Sequence, residues 1–399
     1  MGAAPRLAGV ITRRPHVFDG LLDPALLAEL PDRAYLSGRL VAFLENSVEY
    51  EEVLDRLRIF AEEQKFLIGV RLLAGSIDAE RAGKAFSDLA DLTIGAALEA
   101  GETEVASRHG RVAGGRVAIL GMGKLGSREL TAGSDVDLIL LYDHDADAEE
   151  SDGAKPLASS HYYARMTQRL IAAVSAPTAE GVLYELDLRL RPSGNKGPVA
   201  THLDAFKKYQ RKDAWTWEHM ALTRARVVAG NPELAAEIEA EVAEILALSR
   251  DAKKIAAEAA EMRAMIEKEK PPRDLWDIKL VPGGLIDLEF IAQVAVLCGQ
   301  LRDDRATGTA KTLARLSSDF ADSQTKHDLT DAYALYQALT QMIRLCLTGP
   351  FEKEDSPPGL IDLLLAATDL PDIEVLEAHL KETEAKVRGH FDRLLSVKS

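Results

Sequence analysis

The sequence predicts an α+β fold that is predominantly helical, with a small mixed β-sheet between helical regions and a carboxy-terminal helical bundle. Three patterns carry that expectation. Apolar residues recur at helical spacing before about Arg108, as Val53, Leu57 and Phe60 and as Phe86, Leu89, Leu92 and Ala96. Short apolar runs at Val117–Leu120 and Leu138–Tyr142 read instead as strands, and Tyr184–Pro192 alternates residue by residue. Beyond His202 the helical spacing returns. The chain therefore divides into a helical lead-in at 1–110, a sheet-bearing core at 111–200 and a helical region at 201–399.

Taken in order, Gly110–Gly115 is a flexible link into the first strand, and the acidic stretch Asp143–Ser159, with Gly153 and Pro156, reads as an exposed loop. A helix follows through Tyr162, Met166, Arg169 and Leu170. In the alternating segment Leu186, Leu188 and Leu190 face a core while Asp187, Arg189 and Arg191 share the other face; Pro192 and Gly194 then stop the strand. Trp215–Val228, Pro232–Leu248 and Lys253–Lys270 suit helices, ended by Pro271 and Pro272. Gly283 and Gly284 precede a further apolar helix, and Leu376, Leu380, Val387, Phe391 and Leu394 mark an amphipathic one at the end.

Chemistry concentrates between the first two strands, in Gly121-Met122-Gly123-Lys124-Leu125-Gly126-Ser127-Arg128-Glu129-Leu130 and then Ser134-Asp135-Val136-Asp137-Leu138. Asp135 and Asp137, two apart on a strand, leave the same face. Carboxylates that close repel by several kcal/mol at an effective dielectric of roughly 20. A cation between them resolves this, and Mg²⁺, which takes carboxylate, phosphate and water oxygens, is the natural choice. Gly121, Gly123 and Gly126 also spell the outline of a dinucleotide-binding fingerprint. That reading fails, because only Ser127–Ser134 separate the strands and a parallel crossover needs about a dozen residues. The phosphate-loop pattern fails too, since Lys124 lacks the glycine spacing and is followed by Leu125. Asp187 supplies a third carboxylate, and the guanidiniums of Arg189 and Arg191 beside it suit a metal-bound triphosphate.

The G-K-L-G-x-x-E-L-x-x-x-S-D-x-D-L block resembles the polymerase β type of nucleotidyltransferase and, in this form, the family of glutamine synthetase adenylyltransferases. Members carry two related halves, one removing adenylyl groups by phosphorolysis and one adding them from ATP. Tyr184–Gly197 (YELDLRLRPSGNKG), Ala214–Gly230 (AWTWEHMALTRARVVAG) and Gly283–Gln293 (GGLIDLEFIAQ) support the resemblance, which favours the carboxy-terminal, adenylylating half. Ser127 stands where many relatives have a second glycine. The resemblance implies a polymerase β-like core, Asp135, Asp137 and Asp187 holding two Mg²⁺ ions, and Gly126 and Ser127 contacting the triphosphate of ATP, on a short helix expected to begin at Ser127. Asp187 would lie nearest the acceptor and help draw off its proton, while Lys124, Arg189 and Arg191 would neutralise the departing phosphates. It further implies glutamine synthetase as protein substrate, control by PII signal proteins and glutamine, and a duplicated motif in a complete member; the single copy here points to one half.

Composition narrows the alternatives. The 399 residues, 47% hydrophobic, can bury a core in two or three domains, and the 48 Lys and Arg against 64 Asp and Glu leave a net charge of −16, which opposes nonspecific binding to nucleic acid. Lys207, Lys208, Arg211 and Lys212 read as a solvated helix face. Cys298 and Cys346 fall within helical apolar patterns and imply no disulfide framework, and no cysteine or histidine cluster has zinc spacing. Met1–Arg14 lack a sustained apolar run, so no signal peptide or membrane anchor is expected and the cytoplasm is the default location. Trp215 and Trp217 are expected to pack in the interior, and Asp287 and Glu289, at a helix start, to be structural. The alternatives to AMP transfer are the phosphorolytic half of the same family, a noncatalytic regulatory module of the same fold, and transfer to a small molecule or an RNA end.

Overall fold

Two helices of the amino-terminal region start where an aspartate accepts an otherwise orphaned amide. Asp32 caps α2 (Arg33–Leu44) through the Tyr35 amide, and Asp78 caps α4 (Ala79–His109) through that of Arg81. With α1 (Pro5–Arg13) and α3 (Tyr50–Leu73) they form the helical lead-in, as its spacing predicts. The computed structural model describes residues 4–14, 30–47, 49–301 and 308–395. Leu57, Phe60, Phe86 and Leu89 are all buried, and α4 packs on α3 on one side and on the sheet region on the other.

The sheet is mixed, in the order β3-β2-β1-β5, with β4 pairing the far half of β2. β1 (Arg116–Gly121) runs antiparallel to both β2 (Val136–Asp143) and β5 (Arg226–Gly230), while β2 is parallel to β3 (Leu186–Asp187) and β4 (Ala200–His202). Both central strands read as continuous apolar runs because both of their faces are covered, α6 (Ser159–Ser175) and α9 (Pro232–Leu246) contributing to the cover. Asp137 interrupts the buried run of β2.

Three expectations are corrected. The helix predicted at Trp215–Val228 is only α8 (Thr216–Leu222); its tail becomes β5, because the free edge of β1 takes the β-branched pair Val227 and Val228 as a partner. Glu239 accepts the Val227 amide at 2.6 Å, which covers that edge. The sheet is therefore complete only at Gly230, beyond the boundary expected at residue 200. The alternating strand Tyr184–Pro192 is also shorter than predicted. It leaves the sheet after Asp187 and turns, with the Arg191 amide bonding the Leu188 carbonyl at 3.3 Å, Ser193 and Gly194 at positive φ, and Gly197 so close that a Cβ would sit 2.0 Å from the Pro192 oxygen.

From Leu203 the regular elements among the described residues are helices apart from β5: α7 (Leu203–Lys212), α8, α9, α10 (Ala252–Glu269), α11 (Leu285–Leu297), α12 (Thr309–Ala314), α13 (Ser323–Cys346), α14 (Pro358–Thr368) and α15 (Ile373–Leu395). Leu376, Leu380, Val387 and Phe391 of α15 are buried against neighbours that include α11 and α13. Cys298 and Cys346 are free. Among the described residues no helix is long and apolar enough to cross a membrane.

Candidate active site

The sequence loop between β1 and β2 folds as a tight, glycine-dependent hinge. The Met122 amide donates to the Asp137 carbonyl at 2.8 Å, drawing the exit of β1 against the entry of β2. Gly123 then takes φ +53, and a Cβ there would lie 2.4 Å from Oδ2 of Asp137, so the carboxylate packs on bare backbone. A single helical turn, α5 (Gly123–Gly126), starts here and ends at Ser127, four residues before the helix start expected from the sequence. Gly126 and Ser127 spend their amides inside the turn, on the carbonyls of Met122 and Gly123; the amides left without intrahelical acceptors are those of Gly123, Lys124 and Leu125. Gly126 is glycine for packing, since a Cβ would sit 1.9 Å from the Arg224 oxygen.

Strand pairing brings the distant carboxylate in. Asp137 and Asp187 are register partners on the parallel strands β2 and β3, and Asp135, exposed just before β2, precedes the buried Val136. Burial first, then the charges of Asp135 and Asp187, push the Asp137 carboxyl up to about 6, against the pull of Arg224 and Lys279. Asp187 goes the other way. Arg189 grips it through Nε at 2.8 and 3.0 Å and through its own amide at 2.8 Å, holding the carboxyl below the usual range.

Three carboxylates on neighbouring sheet positions suit a hard divalent cation by donor chemistry. Among the described residues no three acidic, His or Cys side chains already stand in metal-holding geometry, and Asp187 spends its oxygens on Arg189. An ion at Asp187 would require Arg189 to release its carboxylate. Asp135, Asp187, Arg189 and Arg191 line a cleft of about 460 Å³.

The expected cations separate. Arg189 has an exposed side chain at the cleft mouth, whereas Arg191 is buried and donates to the Leu188 carbonyl at 2.7 Å, bracing the turn. Lys124 is pushed down to about 8 by burial, with Glu289 opposing and Lys279, Arg224 and Arg344 adding to it. Sequence reasoning missed Arg224. It is buried, pairs with Glu289 of α11 at 3.0 Å and Glu129 at 3.3 Å, and donates to the Ser127 hydroxyl at 3.1 Å. Glu129 also takes the Thr309 amide at 2.6 Å, so the Ser127–Glu129 end of the motif fastens the carboxy-terminal helices to the sheet. The glutamate in the G-K-L-G-x-x-E-L block was the available signal.

Asp287 is structural, as expected: it is fully buried, ion-paired to Arg263 and accepts the Gly283 amide at 2.7 Å. Trp215 and Trp217 contradict expectation. Their side chains are exposed, because Trp215 precedes α8 at its cap position, turned away from the buried Glu218 whose carboxylate accepts the Trp215 amide at 2.9 Å.

Comparison with known proteins gives the family. Residues 1–241 match the family model for glutamate-ammonia ligase adenylyltransferase, and residues 260–395 match that of the GlnD PII-uridylyltransferase. Proteins named bifunctional glutamine synthetase adenylyltransferase/adenylyl-removing enzyme are 77% identical over 396 residues in Mesorhizobium japonicum and 61% over 396 in Brucella suis, each match covering 99% of this chain and 40% of the relative. The Rhizobium meliloti protein of that name is 55% identical over 401 residues, 100% of this chain and 41% of the relative. The chain belongs to the glutamate-ammonia ligase adenylyltransferase family, and it spans about two fifths of the length of these relatives.

Proposed function

We propose that this chain catalyses Mg²⁺-dependent transfer of AMP from ATP to a tyrosine of glutamine synthetase, with release of pyrophosphate, on a polymerase β-like core. The observation that supports the reading is the pairing of Asp137 with Asp187 on two parallel strands, with Asp135 just before the first, and the Asp137 carboxyl raised to about 6 by burial and by these two neighbours. Asp135, Asp137 and Asp187 would hold two Mg²⁺ ions, which would supply Lewis-acid activation of the acceptor oxygen and neutralisation of the leaving pyrophosphate. The tyrosine oxygen bonds to the α-phosphorus, the bond to the bridging oxygen of the β-phosphate breaks in line, and the phenolic proton passes to Asp187. The chain's part is placement. Gly123 and Gly126 let the turn lie against Asp137 and the Arg224 carbonyl; the amides of Gly123, Lys124 and Leu125, rather than those of Gly126 and Ser127 that are spent inside the turn, would meet the triphosphate, and Lys124 and Arg189 the departing charge. Arg191 serves the same end from behind, by fixing the turn after Asp187.

The relatives' names pair addition with removal of adenylyl groups, so phosphorolysis is the second reading. Purified chain, Mg²⁺, glutamine synthetase and ATP labelled in the α-phosphate decide between them. Label on glutamine synthetase supports transfer. Phosphate-dependent release of ADP from modified glutamine synthetase establishes removal instead, and neither activity leaves a noncatalytic module. Addition of a PII protein to the same assay tests control by that partner.

A further inference from the structure

Behind the carboxylates, on the side of the amino-terminal helices, lies a cavity of about 740 Å³ that shares no residue with the cleft at Asp135 and Asp187. Five cationic side chains line it, Arg6, Arg13, Arg14, Arg58 and Lys65, against two carboxylates, Glu62 and Glu180. Both carboxylates are committed. Arg14 bonds Glu62 at 2.9 Å and also Glu180, and Arg13 takes the other oxygen of Glu62. Arg58 is accounted for by the carbonyls of Ala173, Ala176 and Gly181, at and just beyond the carboxy-terminal end of α6, where a cation belongs. Of the acids, Arg6 and Lys65 feel only the more distant charges of Glu185 and Glu62 respectively. Among the described residues their hydrogen-bond acceptors are carbonyl oxygens: Ala132 at 3.0 Å and Arg344 at 3.1 Å for Arg6, and Leu183 at 2.8 Å for Lys65, whose ammonium also lies 3.7 Å from the centre of the Tyr184 ring. In a chain of net charge −16, a concave wall with this surplus of positive charge is the exception.

The carbonyl partners matter as much as the charge. Ala132 lies three residues before Asp135, and Leu183 four before Asp187. Arg6 lies so close to the first loop that a Cβ on Gly133 would come within 2.2 Å of its guanidinium. One wall of the cavity is thus made of the two segments that deliver the outer carboxylates to the sheet.

We infer that this cavity is a binding site for a small multivalent oxyanion, of the phosphate or polycarboxylate class, which draws Arg6 and Lys65 together and so fixes the two loops that carry Asp135 and Asp187. Burial with Arg6 nearby pushes the Lys65 ammonium down to about 7, and an anion in the cavity restores its charge, making the interaction charge-assisted. Binding itself is independent of the function proposed above; only its consequence for catalysis rests on that reading.

Calorimetry on the whole chain in EDTA, with inorganic phosphate, pyrophosphate and succinate as separate probes, tests the site and tells phosphate from carboxylate chemistry. One equivalent is expected to bind. Lys65→Met is expected to weaken it about tenfold, and Arg13→Gln, at an exposed rim position with little bearing on folding, several-fold. The double variant Asp135→Asn/Asp137→Asn is expected to leave it unchanged. Amide exchange in 131–135 and 181–185 should slow on binding of the same anion. No binding by any of the three probes overturns the proposal, as does binding lost in the double Asn variant but kept in Arg13→Gln and Lys65→Met, which places the anion in the catalytic cleft. Binding without slower exchange in either loop refutes the coupling.

Discussion

Two pairs of acids with the same spacing meet opposite fates in this molecule. Asp135 and Asp137 flank Val136 at the entry of β2, and Asp287 and Glu289 flank Leu288 on α11. On the extended segment a spacing of two returns to the same side, so the first pair is left with mutual repulsion. On the helix the same step swings the second acid most of the way round. Asp287 goes to Arg263, Arg388 and the Gly283 amide, and Glu289 to Arg224 on another face. Every charge of the second pair is met and holds helices together; in the first, burial and the neighbouring acids raise the Asp137 carboxyl in spite of Arg224 and Lys279. Local geometry, more than residue type, separates a structural acid from a functional one.

The largest effects should fall in opposite assays. On the proposed reading, Asp137→Asn is expected to cost AMP transfer about 10³-fold or more, with the fold intact, because it would remove a direct ligand of the metal at the transferring phosphate. Asp287→Asn is expected to cost stability instead. Removing one member of a buried ion pair leaves Arg263 with Glu267, at 3.3 Å, as its remaining carboxylate, so the loss is expected at about 3 kcal/mol by chemical denaturation, and activity should track the folded fraction. A stable Asp287→Asn protein without activity would break the comparison by moving Asp287 into the site.

A pH titration of stability sharpens it further. With its carboxyl raised from 3.8 to about 6, Asp137 binds its proton more tightly in the native than in the unfolded chain. Stability contributed at that position is therefore lost as pH rises from about 4 to about 6, and the deficit persists above 6. Asn at 137 has no such loss. Asp137→Asn is expected to match the parent near pH 4 and exceed it at pH 7–8 by at most about 3 kcal/mol, from about 1.4 kcal/mol per pKa unit. Mg²⁺ with a nonhydrolysable ATP analogue should close the gap. A gap that widens towards acid would mean that Asp137 is a satisfied acid like Asp287.

This contrast also explains what could be read from the chain. The helices before Arg108 and after His202 were legible because apolar period fixes a helix locally. So was the juxtaposition of Asp187 with the Asp135–Asp137 pair, since the alternation around Leu186 and the repulsion in the pair both asked for one partner. β5 was not legible: Arg226–Gly230 sits in a helix-like pattern and becomes a strand only because β1 has an open edge. Arg191 was legible in part. Alternation placed it beside Asp187, and it does line the cleft and help hold that carboxyl down, but the chain leaves the sheet after Asp187 and the guanidinium is spent on a carbonyl. Arg224 and Glu129 had no periodic signature, because their pairing joins the sheet to helices far along the sequence. Trp215 and Trp217 failed the general expectation that aromatic residues are packed; the cap of α8 holds the first of them out in solvent.

Arg189 gives the smallest effect and the finest test of the difference between a met and an unmet charge. Its side chain is mostly exposed, so its pairing with Asp187 adds little to stability, and Arg189→Ala is expected to shift the unfolding free energy by less than about 1 kcal/mol. Its consequence for binding should have two signs. A bare divalent ion competes with the guanidinium for Asp187, so Mn²⁺ alone is expected to bind the variant more tightly, whereas a metal-bound ATP analogue loses a phosphate contact and should bind more weakly. Titration of both ligands into the two proteins separates these terms. Weaker binding of Mn²⁺ alone would show that Arg189 positions Asp187 for the metal, and that even in the apo site this carboxylate, like Asp287, already has its proper partner.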